Sequence, residues 1–192
     1  MRLASLIALS LFAATAAHAA GWQEVASPFD QQRLAHIDEA RSKGMSEAQA
    51  GPDMATIGEV LGRPGGPAHD IAGSWRCRTI KLGGLTPSVV YSWFRCSIAD
   101  RGGHLFFRKL SGSQRTSGWL YPNSDGTYVY LGASSMSSEP WHSYSGSAAS
   151  VGAPATPDDQ IGLLSGLGEG HARIEMPYPV QESTFDVLEL RR

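Results

Sequence analysis

The chain has 192 residues, of which 42% are hydrophobic and 18% are charged, with 22 glycines and 11 prolines. This composition predicts one compact domain and excludes both a disordered chain and a bundle of membrane-spanning helices. There are 16 basic and 18 acidic residues, and the resulting net charge of -2 excludes a general attraction for nucleic acid.

The first 19 residues have the pattern of an export signal. Arg2 precedes an apolar run from Leu3 to Ala16, and Ala17-His18-Ala19 is a small-x-small cleavage site. A membrane anchor is less favoured because the run is shorter than the ~20 residues that cross a bilayer. We therefore expect residues 1–19 to be removed near Ala19 and the mature protein to lie in the periplasm, without a membrane span.

Residues 20–70 have a helical pattern. A helix is predicted to begin with Ser27 as its N-cap and a proline in its first turn, and to end before Gly44. A second helix is predicted from Asp53 to the stop at Gly62. These elements form an expected helical arm over residues 20–70.

After Asp70 the pattern changes to short β-rich runs separated by turn residues. The predicted strands are Gly73 to Leu82, Ser88 to Ile98, His104 to Leu110, Gly118 to Tyr121, Thr127 to Leu131, Trp141 to Tyr144, Ala172 to Met176 and Thr184 to Leu190. The segments 145–159 and 166–170 read as a loop and a turn. Because a closed sheet hides its edges, residues 71–192 are predicted to form a mainly antiparallel β-barrel of about eight strands, giving an α+β fold.

Cys77 and Cys96 are the only cysteines, and in an oxidising compartment such a pair predicts a disulfide. A redox-active pair is less favoured because the chain has no Cys-x-x-Cys motif. A turn centred on Thr86-Pro87 would place Cys77 directly opposite Cys96, and Arg78 directly opposite Arg95.

Positive charge is concentrated between Ile71 and Leu120, where eight basic residues accompany one acid, Asp100. One interpretation is that these cations form ion pairs with acids of the last strand region, namely Glu182, Asp186 and Glu189. The other is that some of them line a pocket for an anionic ligand, since Arg78 opposite Arg95 would need a negative group between them.

The run from Lys109 to Arg115 adds two cations, two hydroxyls and an amide around a glycine turn. This combination favours a site for an anion, although the same residue types also form ordinary hairpin ends. The candidate ligand-binding residues are Arg78, Lys81, Arg95, Lys109, Ser113, Gln114 and Arg115.

Three resemblances bear on the fold. Gly73-Ser74-Trp75 with the late Arg191 resembles lipocalin-like barrels, which implies that Trp75 closes one end of the barrel beneath Arg191. The Gly-Ser-Trp start also resembles barrel-type periplasmic protease inhibitors. A longer resemblance is to a secreted bacterial family, domain of unknown function 4893, through segments 75–83, 94–96, 109–115, 120–121, 130–132 and 186–190. It implies an exported domain and brings no established activity.

The chain lacks recognisable nucleophile-elbow, phosphate-loop and metal-ligand motifs, so no catalytic residue, metal or cofactor is predicted. We expect a non-enzymatic module that binds an anionic or amphipathic small molecule in the barrel mouth. The alternatives are a protein-interaction or protease-inhibitor-like module that inserts residues 20–70 into a periplasmic partner, and an envelope hydrolase with an unrecognised serine or carboxylate site.

Overall fold

A computed structural model describes residues 21–146 and 156–192 of the chain. These residues form the helices α1 Trp22–Val25, α2 Pro28–Ala35, α3 Ile37–Ala48 and α4 Met54–Leu61. The strands are β1 Gly73–Leu82, β2 Ser88–Val90, β3 Phe94–Asp100, β4 Leu105–Lys109, β5 Gln114–Pro122, β6 Tyr128–Met136, β7 Asp159–Gly168, β8 His171–Pro177 and β9 Phe185–Arg191. The expected signal segment and the centre of the expected 145–159 loop lie outside the described residues.

The strands close into an antiparallel barrel. Strands β1 and β3 to β9 pair with their neighbours in chain order, and β9 pairs with β1 to close a barrel of eight strands. The short strand β2 pairs with the end of β1 as an extra strand. The predicted α+β fold with a mainly antiparallel barrel is confirmed. None of the helices in the described ranges has the length and apolar character that crossing a bilayer requires.

Three local strand predictions were wrong. Ser88 to Ile98, predicted as one strand, is divided into β2 and β3, and Trp141 to Tyr144 is not a strand. Residues 159–168 form β7, although the sequence analysis assigned position 159 to a loop and 166–168 to a turn and gave no element to 160–165. A glycine-rich run resembles a turn in isolation, but here it pairs with β6 on one side and β8 on the other. A Cβ at Gly162 would lie 2.8 Å from Ile174 Cγ2, so the glycine permits close packing inside the barrel.

The two predicted helix starts agree with the structure, but the helix predicted from Ser27 to Gly44 is divided at His36 into α2 and α3. Ser27 caps α2, since its Oγ accepts a hydrogen bond of 3.1 Å from the backbone N–H of Asp30. Gly44 lies inside α3 instead of ending a helix. A Cβ on Gly44 would lie 2.8 Å from the Cβ of Phe185, so the absent side chain lets α3 approach the barrel wall.

The helices pack on the outside of the barrel. Ile57 and Val60 of α4 share a buried cluster with Ile80 of β1 and with Phe185 and Val187 of β9. The apolar face of the predicted helical arm is therefore buried against β1 and β9.

The two cysteines form the predicted disulfide, with Cα atoms 5.9 Å apart, but the predicted register was wrong. Trp75, not Cys77, pairs with Cys96, so the disulfide is diagonal across β1 and β3. Leu82 pairs with Ser88, which centres the turn near Leu85 instead of Thr86-Pro87.

An irregularity follows the hairpin turn and moves the register again. Ile80 pairs with Val90, whereas Cys77 pairs with Phe94, so β2 and β3 carry one extra residue relative to β1. As a consequence Arg76, and not Arg78, faces Arg95.

Candidate functional site

The barrel interior is apolar at one end and polar at the other. Along β1 the inward positions run from Trp75 and Cys77, which belong to the main apolar cluster, to Thr79 and Lys81. The other strands make the same change, with Phe107 followed by Lys109 on β4. Strand alternation thus selects which residues point inward, and the sequence along each strand makes one end of the interior polar.

A cavity of about 300 Å³ occupies the polar end. Its lining residues are Thr79, Lys81, Lys109, Gln114, Arg115, Thr116, Ser134, Ser135, Met136, Glu139, His142, Pro157, Asp158, Gln160, Met176, Pro179, Val180, Gln181, Glu182, Asp186 and Leu188. This is the lower end of the size range for small-molecule sites.

Lys109 is the most deeply placed cation of this cavity. Its side chain is only 6% exposed, and its Nζ lies 4.4 Å from the centroid of the Phe94 ring. Among the described residues, no carboxylate oxygen lies within 4.0 Å of this Nζ. Burial, helped by the charge of Lys81, lowers the pKa of Lys109 to about 8.

The acids of the cavity have partners. Glu182 forms an ion pair with Lys81, and Asp158 lies 3.2 Å from the Nδ1 atom of His142. Asp186 accepts a 2.6 Å hydrogen bond from Ser183 Oγ. Burial raises the pKa of Asp186 to about 6, against the lowering effect of Lys81.

Neutral hydrogen-bonding groups form the base of the cavity. The hydroxyl of Thr116 donates to Gln160 Oε1 and also lies within hydrogen-bonding distance of the hydroxyl of Tyr130. Burial raises the pKa of Tyr130, so this hydroxyl stays protonated. The apolar cluster begins directly below, because Tyr130 is part of it.

The structure brings together four of the seven candidate ligand-binding residues: Lys81, Lys109, Gln114 and Arg115 line the cavity. The other three lie elsewhere. Arg78 points outward, where its Nε donates to Glu189 at 2.6 Å, and Arg95 and Ser113 are exposed and do not line the cavity.

The prediction of an anion between Arg78 and Arg95 was wrong, because the observed register pairs Arg95 with Arg76 and not with Arg78. The ion-pair interpretation is confirmed for Arg78 with Glu189 and for Lys81 with Glu182.

Trp75 is buried at the end of the barrel opposite the cavity, but the arginine that covers it is not the one expected. Arg192 lies over its ring, whereas Arg191 forms ion pairs with Glu59 and Glu189 on the outer surface. Adjacent residues of a strand point to opposite faces of the sheet, so the choice of Arg191 in place of Arg192 puts the side chain on the wrong side of the barrel wall.

Sequence reasoning missed Gln160 and His142 as cavity residues. Gln160 follows the predicted 145–159 loop in a segment to which no element was assigned, so no inward position could be given to it. His142 follows β6 in irregular chain and reaches the cavity only through the tertiary fold.

Comparison with protein families identifies the domain. The family model described as Domain of unknown function (DUF4893) matches residues 22–190. The chain belongs to the DUF4893 family. The match runs from α1 into β9, so this DUF4893 domain comprises the helices and the barrel together. Searches of curated proteins and of solved structures found no match.

Proposed function

We propose that this DUF4893 domain is a periplasmic, non-enzymatic protein that binds an anionic, amphipathic small molecule in the polar end of its barrel. The observation that carries the proposal is Lys109, a buried ammonium group in a cavity whose acids are engaged with other partners. Residues 1–19, with their export pattern, and the Cys77–Cys96 disulfide support the location.

A bound anion would offset the free-energy cost of burying the Lys109 ammonium group. Removing an ammonium group from water costs free energy unless a hydrogen-bonding or charged partner replaces the water. A carboxylate or phosphate entering the cavity would supply that partner and would restore the ordinary pKa of the amine. Gln114 and Thr116 offer hydrogen-bonding groups at the same end.

The rim of the cavity suits an apolar tail. Met136 is 43% exposed and Val180 is 40% exposed, and both line the cavity beside Pro179. A head group on Lys109 would leave an attached alkyl or aromatic group against these side chains, where burial contributes about 25 cal/mol per Å² of apolar surface. The arrangement therefore favours an amphipathic anion over inorganic phosphate.

The test is calorimetric titration with decanoate, with decanol as the uncharged ligand of the same chain length. Lys109→Met removes the charge and keeps an unbranched side chain, whereas Arg95→Met removes one charge from the outer surface. We expect decanoate to bind the wild type and Arg95→Met equally, and Lys109→Met at least about tenfold more weakly. Equal decanoate affinity in Lys109→Met, or tighter binding of decanol than of decanoate, would refute the proposal.

Native mass spectrometry of the protein purified from its own periplasm identifies the natural ligand. A retained small acid supports the proposal. A retained polypeptide in its place would favour the protein-interaction alternative.

A further inference from the structure

A second group of cations lies on the outer surface of the barrel, away from the helices. The helices pack mainly on β1, β7, β8 and β9, and the outward positions of β4 and its neighbours carry arginines and aromatic rings. We name the set formed by Arg101, Phe106, Arg108, Trp141 and Arg115 the arginine–aromatic row; Arg115, at one end of the row, also lines the cavity.

Guanidinium groups and rings alternate along this row. The Cζ of Arg101 lies 4.1 Å from the centroid of the Phe106 ring, and that of Arg108 lies 5.5 Å from the same centroid. Arg108 is also 5.1 Å from the Trp141 ring, and Arg115 is 5.5 Å from it. Each guanidinium is thus placed beside an aromatic face, where cation–π attraction holds it.

The neighbouring strands offer these arginines no acid. Arg108 pairs with Ser97 of β3 and Ser117 of β5, and Arg115 pairs with Ser135 of β6. No carboxylate among the described residues lies within 4.0 Å of Arg101, Arg108 or Arg115.

The Nε atoms of Arg108 and Arg115 have no hydrogen-bond partner among the described residues, but they are buried, so a ligand from solvent would have to bind the Nη atoms of these side chains. A guanidinium is planar and presents N–H donors along its edge, two of which can match the two oxygens of a carboxylate. The row therefore has three guanidinium groups that form no ion pair with an acid of the described residues.

We propose that the arginine–aromatic row binds an acidic polysaccharide through the carboxylates of successive sugar units. A polymer of uronic acids places carboxylates at intervals along one chain, which suits cations held in a row across neighbouring strands. Arg76 and Arg95, which face each other on the outward side of β1 and β3, extend the positive surface.

Two other polyanions fit the row less well. Bases of single-stranded nucleic acid stack on open aromatic faces, but guanidinium groups lie against the Phe106 and Trp141 rings. Binding to a bilayer surface uses protruding apolar side chains, and in the described part of the chain the row adjoins a single exposed large ring, Trp119, at 37% exposure.

The experiment measures affinity for oligogalacturonate, with dextran of similar length as the neutral control. Arg108→Gln and the pair Arg101→Gln with Arg108→Gln are compared with Lys43→Gln, which removes one charge from the exposed surface of α3. We expect losses of at least about fivefold and twentyfold for the row variants and less than about twofold for Lys43→Gln. Circular dichroism verifies that the variants are folded.

Arg108→Lys keeps the positive charge but removes the planar guanidinium, so it separates the contribution of two-hydrogen-bond geometry from that of charge alone. We expect it to lose several-fold affinity, because an ammonium group cannot bind a carboxylate in two parallel hydrogen bonds. Unchanged affinity in the glutamine pair, an equal loss in Lys43→Gln, or tighter binding of oligo-thymidine DNA or phosphatidylglycerol vesicles would overturn the proposal. Arg101 and Arg108 do not line the cavity, so decanoate binding should be unchanged in these variants.

Discussion

The guanidinium of Arg192 lies over the indole of Trp75, with its Cζ 4.7 Å from the ring centroid. Its Nη2 also donates to the backbone carbonyls of Asp70 and Ala72, and the indole Nε1 donates to the carbonyl of Ile71 at 2.8 Å. The residue after the last strand is thereby bound to the segment that leads into the first strand, at the apolar end of the barrel.

This contact predicts that Arg192→Ala lowers the free energy of unfolding by about 1 kcal/mol, through loss of the cation–π contact and of the exposed hydrogen bonds. Urea denaturation measures the change. Arg95→Ala, an exposed position on the outer surface, should change the stability by less than about 0.5 kcal/mol. Equal effects of the two substitutions would contradict the role given to Arg192.

Gly44 and Gly58 form a matched pair in neighbouring helices. A Cβ at Gly44 meets Phe185 at 2.8 Å, whereas a Cβ at Gly58 has no heavy atom within 4 Å. We expect Gly44→Ala to destabilise the protein by about 1–3 kcal/mol through overpacking. Gly58→Ala should stabilise it by about 0.5–1 kcal/mol, because alanine favours the helix. Thermal denaturation of both variants tests the tight seating of α3, and a stabilised Gly44→Ala would contradict it.

The buried carboxyl of Asp186 predicts a pH dependence of stability. Its folded-state pKa of about 6 lies above the ordinary value of 3.8, so the folded state binds the proton more tightly than the unfolded state. The contribution of Asp186 to stability is therefore fully present below about pH 3.8 and is lost as the pH rises through about 6.

Asp186→Asn removes this loss while it keeps an acceptor for Ser183. At pH 7.5 we expect the variant to be more stable than the wild type, by up to about 3 kcal/mol. The difference should shrink towards zero at pH 4. Urea denaturation of both proteins at the two pH values measures this difference. If Asp186→Asn loses stability relative to the wild type between pH 4 and pH 7.5, the ionised carboxylate is stabilising and the prediction is wrong.

The amine of Lys109 predicts the pH dependence of anion binding. Its pKa of about 8 in the free protein means that the ammonium form is already lost at moderately alkaline pH. Because a bound anion favours the charged amine, decanoate affinity should be constant below about pH 7 and fall by about tenfold per pH unit above about pH 8. Titration calorimetry from pH 6 to 9 measures this slope. A flat profile would mean that Lys109 does not contact the anion.

Local patterns predicted much of the fold. The N-cap at Ser27, the stop of α4 at Gly62 and the whole of β1 follow from residue types and spacing over a few positions. By contrast β7 was missed, since its glycines look like turn residues until two partner strands and the interior close around them.

The predicted ligand-binding site stays a prediction, but the structure shows where its residues lie. Lys81, Lys109, Gln114 and Arg115 line one cavity. Arg78 was assigned to the pocket, but it lies on the outward side of β1, because it stands between the inward residues Cys77 and Thr79. Inward and outward positions alternate along a strand, so an error of one residue assigns a side chain to the wrong face of the barrel wall.

By itself the sequence determined that helices precede a β-barrel, that the two cysteines pair, and that positive charge is clustered, because these follow from composition and short-range periodicity. Only the tertiary structure decided which cations share a cavity, which of two adjacent arginines covers Trp75, and that Lys109 is buried with no acid of residues 21–146 and 156–192 within ion-pair distance. Those outcomes depend on strand register and barrel closure, which are set by contacts between residues far apart in the chain.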